Sequence, residues 1–243
     1  MKDREIDEIL REAAQAPHEV DPALVDRVAG SIGPSIERVR PLRPEGVLVA
    51  GLVMISTAVA LAGAALAGFR GIQKMSGWDR ALIFPALAIL IWLAAGALVS
   101  EMIPGSRRRI RPGLLLAVSN AVLLAIFSVL FRDYHTEHFV HQGVVCLLIG
   151  SAHAIPTALA SWWLLRRGFA VNPVATGLVA GTLGGLAGVT MLELHCPNFQ
   201  AFHVIVWHTA VILASAGAGA LLSLTLWSCR PDLLHSSRNR HED

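Results

Sequence analysis

Of the ten histidines and three cysteines in this chain, the residues best suited to thiol or metal chemistry, eight lie in two short stretches. In chain order these eight are His135, His138, His141, Cys146, His195, Cys196, His203 and His208. Two cysteines that face an oxidising compartment can form a disulfide, or cycle between thiol and disulfide as a sensor. Imidazole and thiolate are also the ligands that zinc and copper accept. The chain contains neither C-x-x-C nor H-E-x-x-H, so the pattern leaves both chemistries open.

Within this collection, Cys146 and Cys196 are predicted to act as a pair, either as a disulfide or as metal ligands. His195 and His141 are the candidate further ligands. The sequence requires no cofactor, and the candidate is a zinc or copper ion. The third cysteine, Cys229, lies far from the pair in the chain and is predicted to be an inert thiol.

Catalysis and haem binding are less well supported by the sequence. Intramembrane serine proteolysis needs a serine and a histidine on adjacent helices, whereas Ser151 and His153 are only two residues apart. Haem needs axial histidines that face each other, and His141 or His153 with His203 or His208 could supply them. We therefore predict no enzyme, with a metal- or haem-binding membrane oxidoreductase or transporter subunit as the alternative function.

The elements that must position these residues are apolar runs separated by short charged segments. The 243 residues are 54% hydrophobic and only 16% charged, against roughly 25% charged residues in an average soluble domain. Runs of about twenty apolar residues are long enough, as helices, to cross a bilayer, and they lack the alternation of a membrane strand. The predicted spans are 46–68, 81–103, 112–131, 143–165, 173–192 and 203–227. The fold class is therefore an all-α polytopic membrane protein with six transmembrane helices.

Basic residues in the connecting segments predict the orientation, because cytoplasmic loops carry an excess of arginine and lysine. If the N-terminus is inside, the inner flanks hold Arg38, Arg40, Arg43, Arg107, Arg108, Arg109, Arg111, Arg166, Arg167 and Arg230. The outer loops then hold only Arg70, Lys74, Arg80 and Arg132. Both termini are therefore predicted to be cytoplasmic, and the Cys/His stretches lie on the outer side.

Glycines in the fifth span predict close packing between helices. Gly177, Gly181 and Gly185 recur every four residues, and Gly184 and Gly188 repeat the spacing on a neighbouring stripe. Small residues at this spacing let helix backbones approach closely in a membrane.

Residues 1–45 form a cytoplasmic amphipathic arm, followed by the bundle at 46–228 and a cytoplasmic tail at 229–243. Apolar side chains in the arm repeat at helical spacing. Those predicted to contact a partner are Ile6, Ile9, Leu10, Leu24, Val25 and Val28. Helices this short cannot bury their apolar stripes against each other, so the arm needs either the bilayer surface or another protein. The acidic residues around the first stripe suit anionic lipid poorly.

Three segments are distinctive: the arm's SIERVRPLRP, the WWLLRRG that closes the fourth span, and GLVAGTLGGLAGVTMLELHCPNFQAFHVIVWHTAVILASAGAGAL. They resemble the NrsF type of anti-sigma factor, the "negative regulator of sigma F" group of bacterial inner-membrane proteins. The His-Cys-Pro turn in the last of these contains Cys196, and Cys146 lies where the family's other cysteine would be. His208 departs from the pattern, because the family usually has tyrosine after the tryptophan.

The resemblance implies that the arm binds an extracytoplasmic-function sigma factor and keeps it from core RNA polymerase. It also implies that the cysteines on the periplasmic side take part in sensing a stress such as a metal or an oxidant. The expected partners are thus a sigma factor and membrane lipid, with no direct contact to nucleic acid; a homodimer is compatible with the sequence. The expected location is the bacterial inner membrane, as a multi-pass protein.

Overall fold

The computed structural model describes residue 11 and residues 22–32, 43–103, 110–136, 138–165 and 172–228. The predicted contact residues Ile6, Ile9 and Leu10, the side chain of Leu24, and the tail with Cys229 lie outside the described part. The chain divides into two units, Met1–Pro41 and Leu42–Asp243.

The first unit contains one described helix, α1, at Pro22–Ile32. Val25 and Val28 lie one turn apart on it and are 50% and 47% exposed. Within the described residues of α1, this apolar stripe is therefore open to solvent or to a partner.

The second unit is a bundle of helices. Its helices are α2 at Glu45–Ala67, a short α3 at Arg70–Lys74, α4 at Gly77–Met102, α5 at Pro112–Leu130, α6 at Phe139–Leu165, α7 at Pro173–His195, and a π-helical turn at His203–His208 that runs into α8 at Thr209–Ser228. Six of the described helical segments are long and apolar enough to cross a membrane. The predicted all-α fold class and its six spans are confirmed.

Helix α7 lies at the centre of the bundle. Of its most apolar stretch 72% is buried, against 28–50% for the other five spans, and its mean hydropathy of 1.5 is the lowest of the six. It contacts α2, α4, α5, α6 and α8. A helix that faces protein on all sides has no lipid-facing surface that requires large apolar side chains. Small and polar residues are therefore accommodated in α7.

The glycines of α7 lie where neighbouring backbones approach most closely. A Cβ on Gly181 would be 2.2 Å from the carbonyl oxygen of Ser215 in α8, and one on Gly188 would be 2.3 Å from that of Gly150 in α6. Gly177 and Gly185 also face α8, and Gly184 also faces α6. The predicted packing role of the two stripes is confirmed, with one stripe for each neighbour.

The described connections 68–76, 131–136 and 196–202 meet at one end of the bundle, which we call the cysteine end. The backbone N–H of Ala201 donates to the carbonyl of Asp133 over 2.6 Å. Gly71 of α3 packs against the carbonyl oxygens of Glu193 and Cys196, where a Cβ would be 2.6 and 2.7 Å away. These contacts fix the turn that carries Cys196 relative to the ends of the other spans.

Candidate functional site

Two cysteines and two histidines converge in the interior of the cysteine end. One ligand atom from each of Cys146, Cys196, His203 and His208 lies within 4.8 Å of the others, and all four residues are buried. We call this group the Cys/His cluster. Its members come from α6, from the turn after α7, and from the π-helical turn before α8.

The two cysteines face each other as thiols. The Cys146 and Cys196 sulfurs are 3.6 Å apart, and Nε2 of His203 is also 3.6 Å from the Cys196 sulfur. The predicted pairing in space of two cysteines 50 residues apart is therefore present in the fold, without a covalent bond between them.

The π-helical turn explains why both histidines point into the cluster. His203 and His208 are five residues apart, which places them about 140° apart around a regular α-helix. In a π-helix the hydrogen bonds join residues five apart, so such residues lie on the same face of the helix. The rings of His203 and His208 meet edge to face with centroids 5.5 Å apart. Trp207 of the same turn packs on Gly143, where a Cβ would be 2.0 Å from the indole ring.

A buried carboxylate orients one of the histidines. Oε1 of Glu193 lies 2.6 Å from Nδ1 of His208, and both side chains are almost fully buried. Within the described residues, Nε2 of His208 and Nδ1 of His203 make no hydrogen bond. A buried ring nitrogen without a partner is costly, and a bound cation at Nε2 of His208 would remove part of that cost.

Aromatic side chains close the cluster on the α5 side. Phe127 meets His208 edge to face at 6.5 Å, and Phe131 stacks on Phe199 at 5.4 Å. Such an apolar lining limits the access of water and lowers the local polarity, which strengthens bonds between a cation and its ligands.

The two other candidate ligands lie elsewhere. His195 Nδ1 is 2.9 Å from the carbonyl oxygen of Gly68, and His141 is exposed on the first turn of α6. His203 and His208, which take their places in the cluster, belong to the collection of possible metal ligands in the sequence and were also considered as haem ligands. Their five-residue spacing gives a shared face in a π-helical turn but not in a regular α-helix, and the sequence pattern did not predict this turn.

An open cleft of about 520 Å³ adjoins the turn that follows Cys196. Its lining residues are Asp133, His138, Gln142, Pro197, Asn198, Phe199 and Gln200. The Asn198 amide donates to the Gln142 side-chain oxygen over 2.7 Å, which ties this turn to the start of α6. A hydrogen bond from His135 holds the pKa of the exposed Asp133 carboxyl below its usual value. The rim of the cleft therefore carries a negative charge at neutral pH.

Comparison with known protein families gives a match over most of the chain. No curated protein and no solved structure matches the chain. A family model described as "Negative regulator of sigma F" matches residues 34–227, which include every membrane-spanning helix and the whole Cys/His cluster. The match covers most of the chain, and the chain therefore belongs to the NrsF family of negative regulators of sigma F.

Proposed function

We propose that this protein is a membrane-bound anti-sigma factor that holds an extracytoplasmic-function sigma factor through its N-terminal arm. In this proposal a stress on the periplasmic side acts on the Cys/His cluster and releases the sigma factor. The observation that carries the proposal is the combination of NrsF family membership with a buried Cys/His group at one end of a membrane-spanning bundle.

The arm's own pattern supports sigma binding. The family match begins at residue 34. A role of residues 1–33 in sigma binding therefore has to be argued from the pattern of these residues themselves. Val25 and Val28 are about half exposed on α1, and a short helix with an uncovered apolar stripe is typical of segments that dock into a groove of a partner. The half-exposed stripe makes these residues the proposed contact, together with Leu24, Ile6, Ile9 and Leu10.

The position of the cluster supports sensing. Arginine-rich segments favour a cytoplasmic location for the end of the bundle opposite the cysteine end. The cluster would then lie near the periplasm, where thiols meet oxidants and metal ions before these reach the cytoplasm. Because the cluster joins α6, α7 and α8, a change in its bonding would act on three spans at once.

Binding of the sigma factor can be tested with the full-length protein and a charge placed on the proposed contact. The Val25→Asp, Val28→Asp double variant should lose co-purification of the sigma factor from cells that express both proteins. The reason is that two carboxylates in an apolar interface would be buried without partners. Expression of genes dependent on that sigma factor should rise in the same cells.

The matched control is Gly30→Asp. Gly30 lies on the opposite side of α1 from the two valines at 100° per residue, and a Cβ there meets nothing within 4 Å. This variant should bind as the wild type does. If the double variant also retains the sigma factor, the proposed contact is wrong; if the wild-type protein binds no sigma factor at all, the anti-sigma mechanism is wrong.

The alternative, a metal- or haem-binding membrane oxidoreductase or transporter subunit, draws on the same cluster. A haem needs two axial histidines that face each other, but His141 is exposed on the first turn of α6 and the ring of His153 packs against Gly63 of α2, so neither faces His203 or His208 across a haem-sized space. The cluster thus favours a bare metal ion over haem. An absorption spectrum of the purified protein distinguishes the two, because haem would show a strong Soret band.

A further inference from the structure

We propose that Cys146, Cys196, His203 and His208 form a four-coordinate site for a thiophilic cation, Zn²⁺ or Cu⁺, and that Glu193 positions His208 for it. The site itself stands on the geometry of the cluster. Its role as the signal-receiving group of an anti-sigma factor rests on the proposed function.

Two separations within the cluster match those around a tetrahedral cation, and all the ligand atoms lie within 4.8 Å of one another. With metal–sulfur bonds of about 2.3 Å and metal–nitrogen bonds of about 2.0–2.1 Å, tetrahedral ligands are about 3.8 Å apart for two sulfurs and about 3.6 Å apart for sulfur and nitrogen. The structure has 3.6 Å between the Cys146 and Cys196 sulfurs and 3.6 Å between the Cys196 sulfur and His203 Nε2. A cation could therefore bind with small side-chain adjustments.

The chemistry of the ligands selects the class of cation. Two thiolates and two imidazoles suit Zn²⁺ and Cu⁺, whereas calcium and magnesium prefer carboxylate and carbonyl oxygens. Binding replaces the thiol protons by the metal, and the cation then offsets the two thiolate charges in the apolar interior of the bundle. Hard cations should accordingly not compete for the site.

Glu193 gives the site a further feature of metal centres. A histidine that binds a metal through one ring nitrogen usually donates its other ring N–H to a carboxylate or a carbonyl. Nδ1 of His208 faces the Glu193 carboxylate at 2.6 Å, which leaves Nε2, a buried nitrogen with no hydrogen bond in the described structure, as the ligand atom. Glu193 is therefore a positioning residue that fixes the tautomer and the angle of the His208 ring.

The π-helical turn adds a reason to connect metal binding with helix geometry. A regular α-helix through residues 203–208 would turn one of the two histidines away from the cysteines. The π-helical turn is thus a condition for having four ligands rather than three. A metal bound to both histidines would in return hold the start of α8 in this wider turn.

The site can be tested with Co²⁺, a spectroscopic probe for tetrahedral zinc sites, added to the reduced full-length protein in detergent. One equivalent should give the intense visible bands of tetrahedral cobalt together with a sulfur-to-cobalt charge-transfer band. Zn²⁺ or Cu⁺ should bleach these bands at one equivalent, and Mg²⁺ should not. Separate arms with Zn²⁺ and Cu⁺ show which of the two cations binds more tightly.

Variants assign the ligands. Each of the four ligand variants should change the tetrahedral spectrum and bind cobalt more weakly; they are Cys146→Ser, Cys196→Ser, His203→Ala and His208→Ala. Glu193→Gln should keep the spectrum but lower affinity by about 10–100-fold, as is typical when the group behind a ligand is lost. His141→Ala and His195→Ala are the controls and should leave both unchanged. Thermal unfolding without metal shows whether each variant is folded. If a ligand variant does not fold, the site can still be tested by the weaker metal binding expected of Glu193→Gln.

Three results would overturn the proposal: no cobalt spectrum with the reduced wild-type protein, an unchanged spectrum in folded His203→Ala and His208→Ala, or its loss in His141→Ala. The titration contains no sigma factor, so its failure is distinguishable from a failure of the anti-sigma mechanism. Conversely, if the protein binds cobalt as expected but never retains a sigma factor, the proposed metal site stands and the proposed anti-sigma function is wrong.

Discussion

In the proposed function, the Cys146–Cys196 pair is the point at which a chemical signal acts on single atoms of this protein. Both thiols are buried, with the imidazole of His203 3.6 Å from the Cys196 sulfur. Oxidation would shorten the sulfur–sulfur distance to about 2.05 Å, whereas a tetrahedral cation would keep the sulfurs about 3.8 Å apart. The two signals would thus move the same side chains in opposite directions.

If these thiols receive the signal, removing both of them should abolish the response. In the Cys146→Ser, Cys196→Ser double variant we expect the sigma-dependent transcription to stay at one level whether or not metal or oxidant is added. The measurement is a reporter gene under the sigma factor's control. His141→Ala, an exposed change on the same helix as Cys146, should respond normally. If the double variant still responds to metal or oxidant as the wild type does, the thiols have no role in the response.

Among the helices, α7 connects the cluster to the rest of the bundle. Its end carries Glu193 and leads into Cys196, and its glycines bring α6 and α8 into backbone contact. The same helix therefore positions the second cysteine and sets the spacing of the helices that carry the other ligands. In the proposed function, a displacement of α8 along the Gly177–Gly185 stripe would carry a change at the cluster to the opposite end of the bundle.

A methyl group in this stripe should loosen the bundle. Gly181→Ala would place a Cβ 2.2 Å from the Ser215 carbonyl oxygen, so α7 and α8 would have to separate. Overpacking of this kind costs about 1–3 kcal/mol, and the thermal unfolding midpoint of the purified protein in detergent should fall accordingly.

The control for this change is Gly217→Ala in α8. A Cβ there meets nothing within 4 Å, and alanine favours the helix by up to about 1 kcal/mol over glycine. Its midpoint should stay the same or rise. If the unfolding midpoint falls equally in the two variants, close packing of α7 on α8 at Gly181 is not the cause of the loss.

At the scale of the whole molecule, the bundle separates two kinds of chemistry. The cysteine end carries the Cys/His cluster and the open cleft. The opposite end is flanked by the segments rich in arginine, and the arm precedes the first span. The proposed function requires that the signal and the partner act on different sides of the membrane.

The orientation can be measured with fusions to a phosphatase that is active only outside the cytoplasm. Fusion after residue 135, in the connection between α5 and α6, should be active. Fusion after residue 108, in the connection between α4 and α5, should be inactive because the arginines there favour the cytoplasm. A cytoplasmic fluorescent protein at the C-terminus serves as the complementary reporter. The reverse pattern would place the cluster in the cytoplasm and exclude periplasmic sensing.

Hydropathy and spacing determined most of the architecture from the sequence. A bilayer demands long apolar helices, so the six spans agree with the structure to within a few residues at most ends. Glycines at four-residue intervals likewise predict a packing seam. The same reasoning paired Cys146 with Cys196 across 50 residues.

Only the tertiary structure decided which histidines join that pair. Regular α-helical geometry separates His203 from His208. In the π-helical turn that aligns them, Trp207 packs against Gly143 and His208 packs against Phe127. His195 and His141 are close to the cysteines in the chain, but one contacts Gly68 and the other is exposed. Sequence spacing fixes which residues share a face of one regular helix, whereas a site built from three elements depends on how those elements pack.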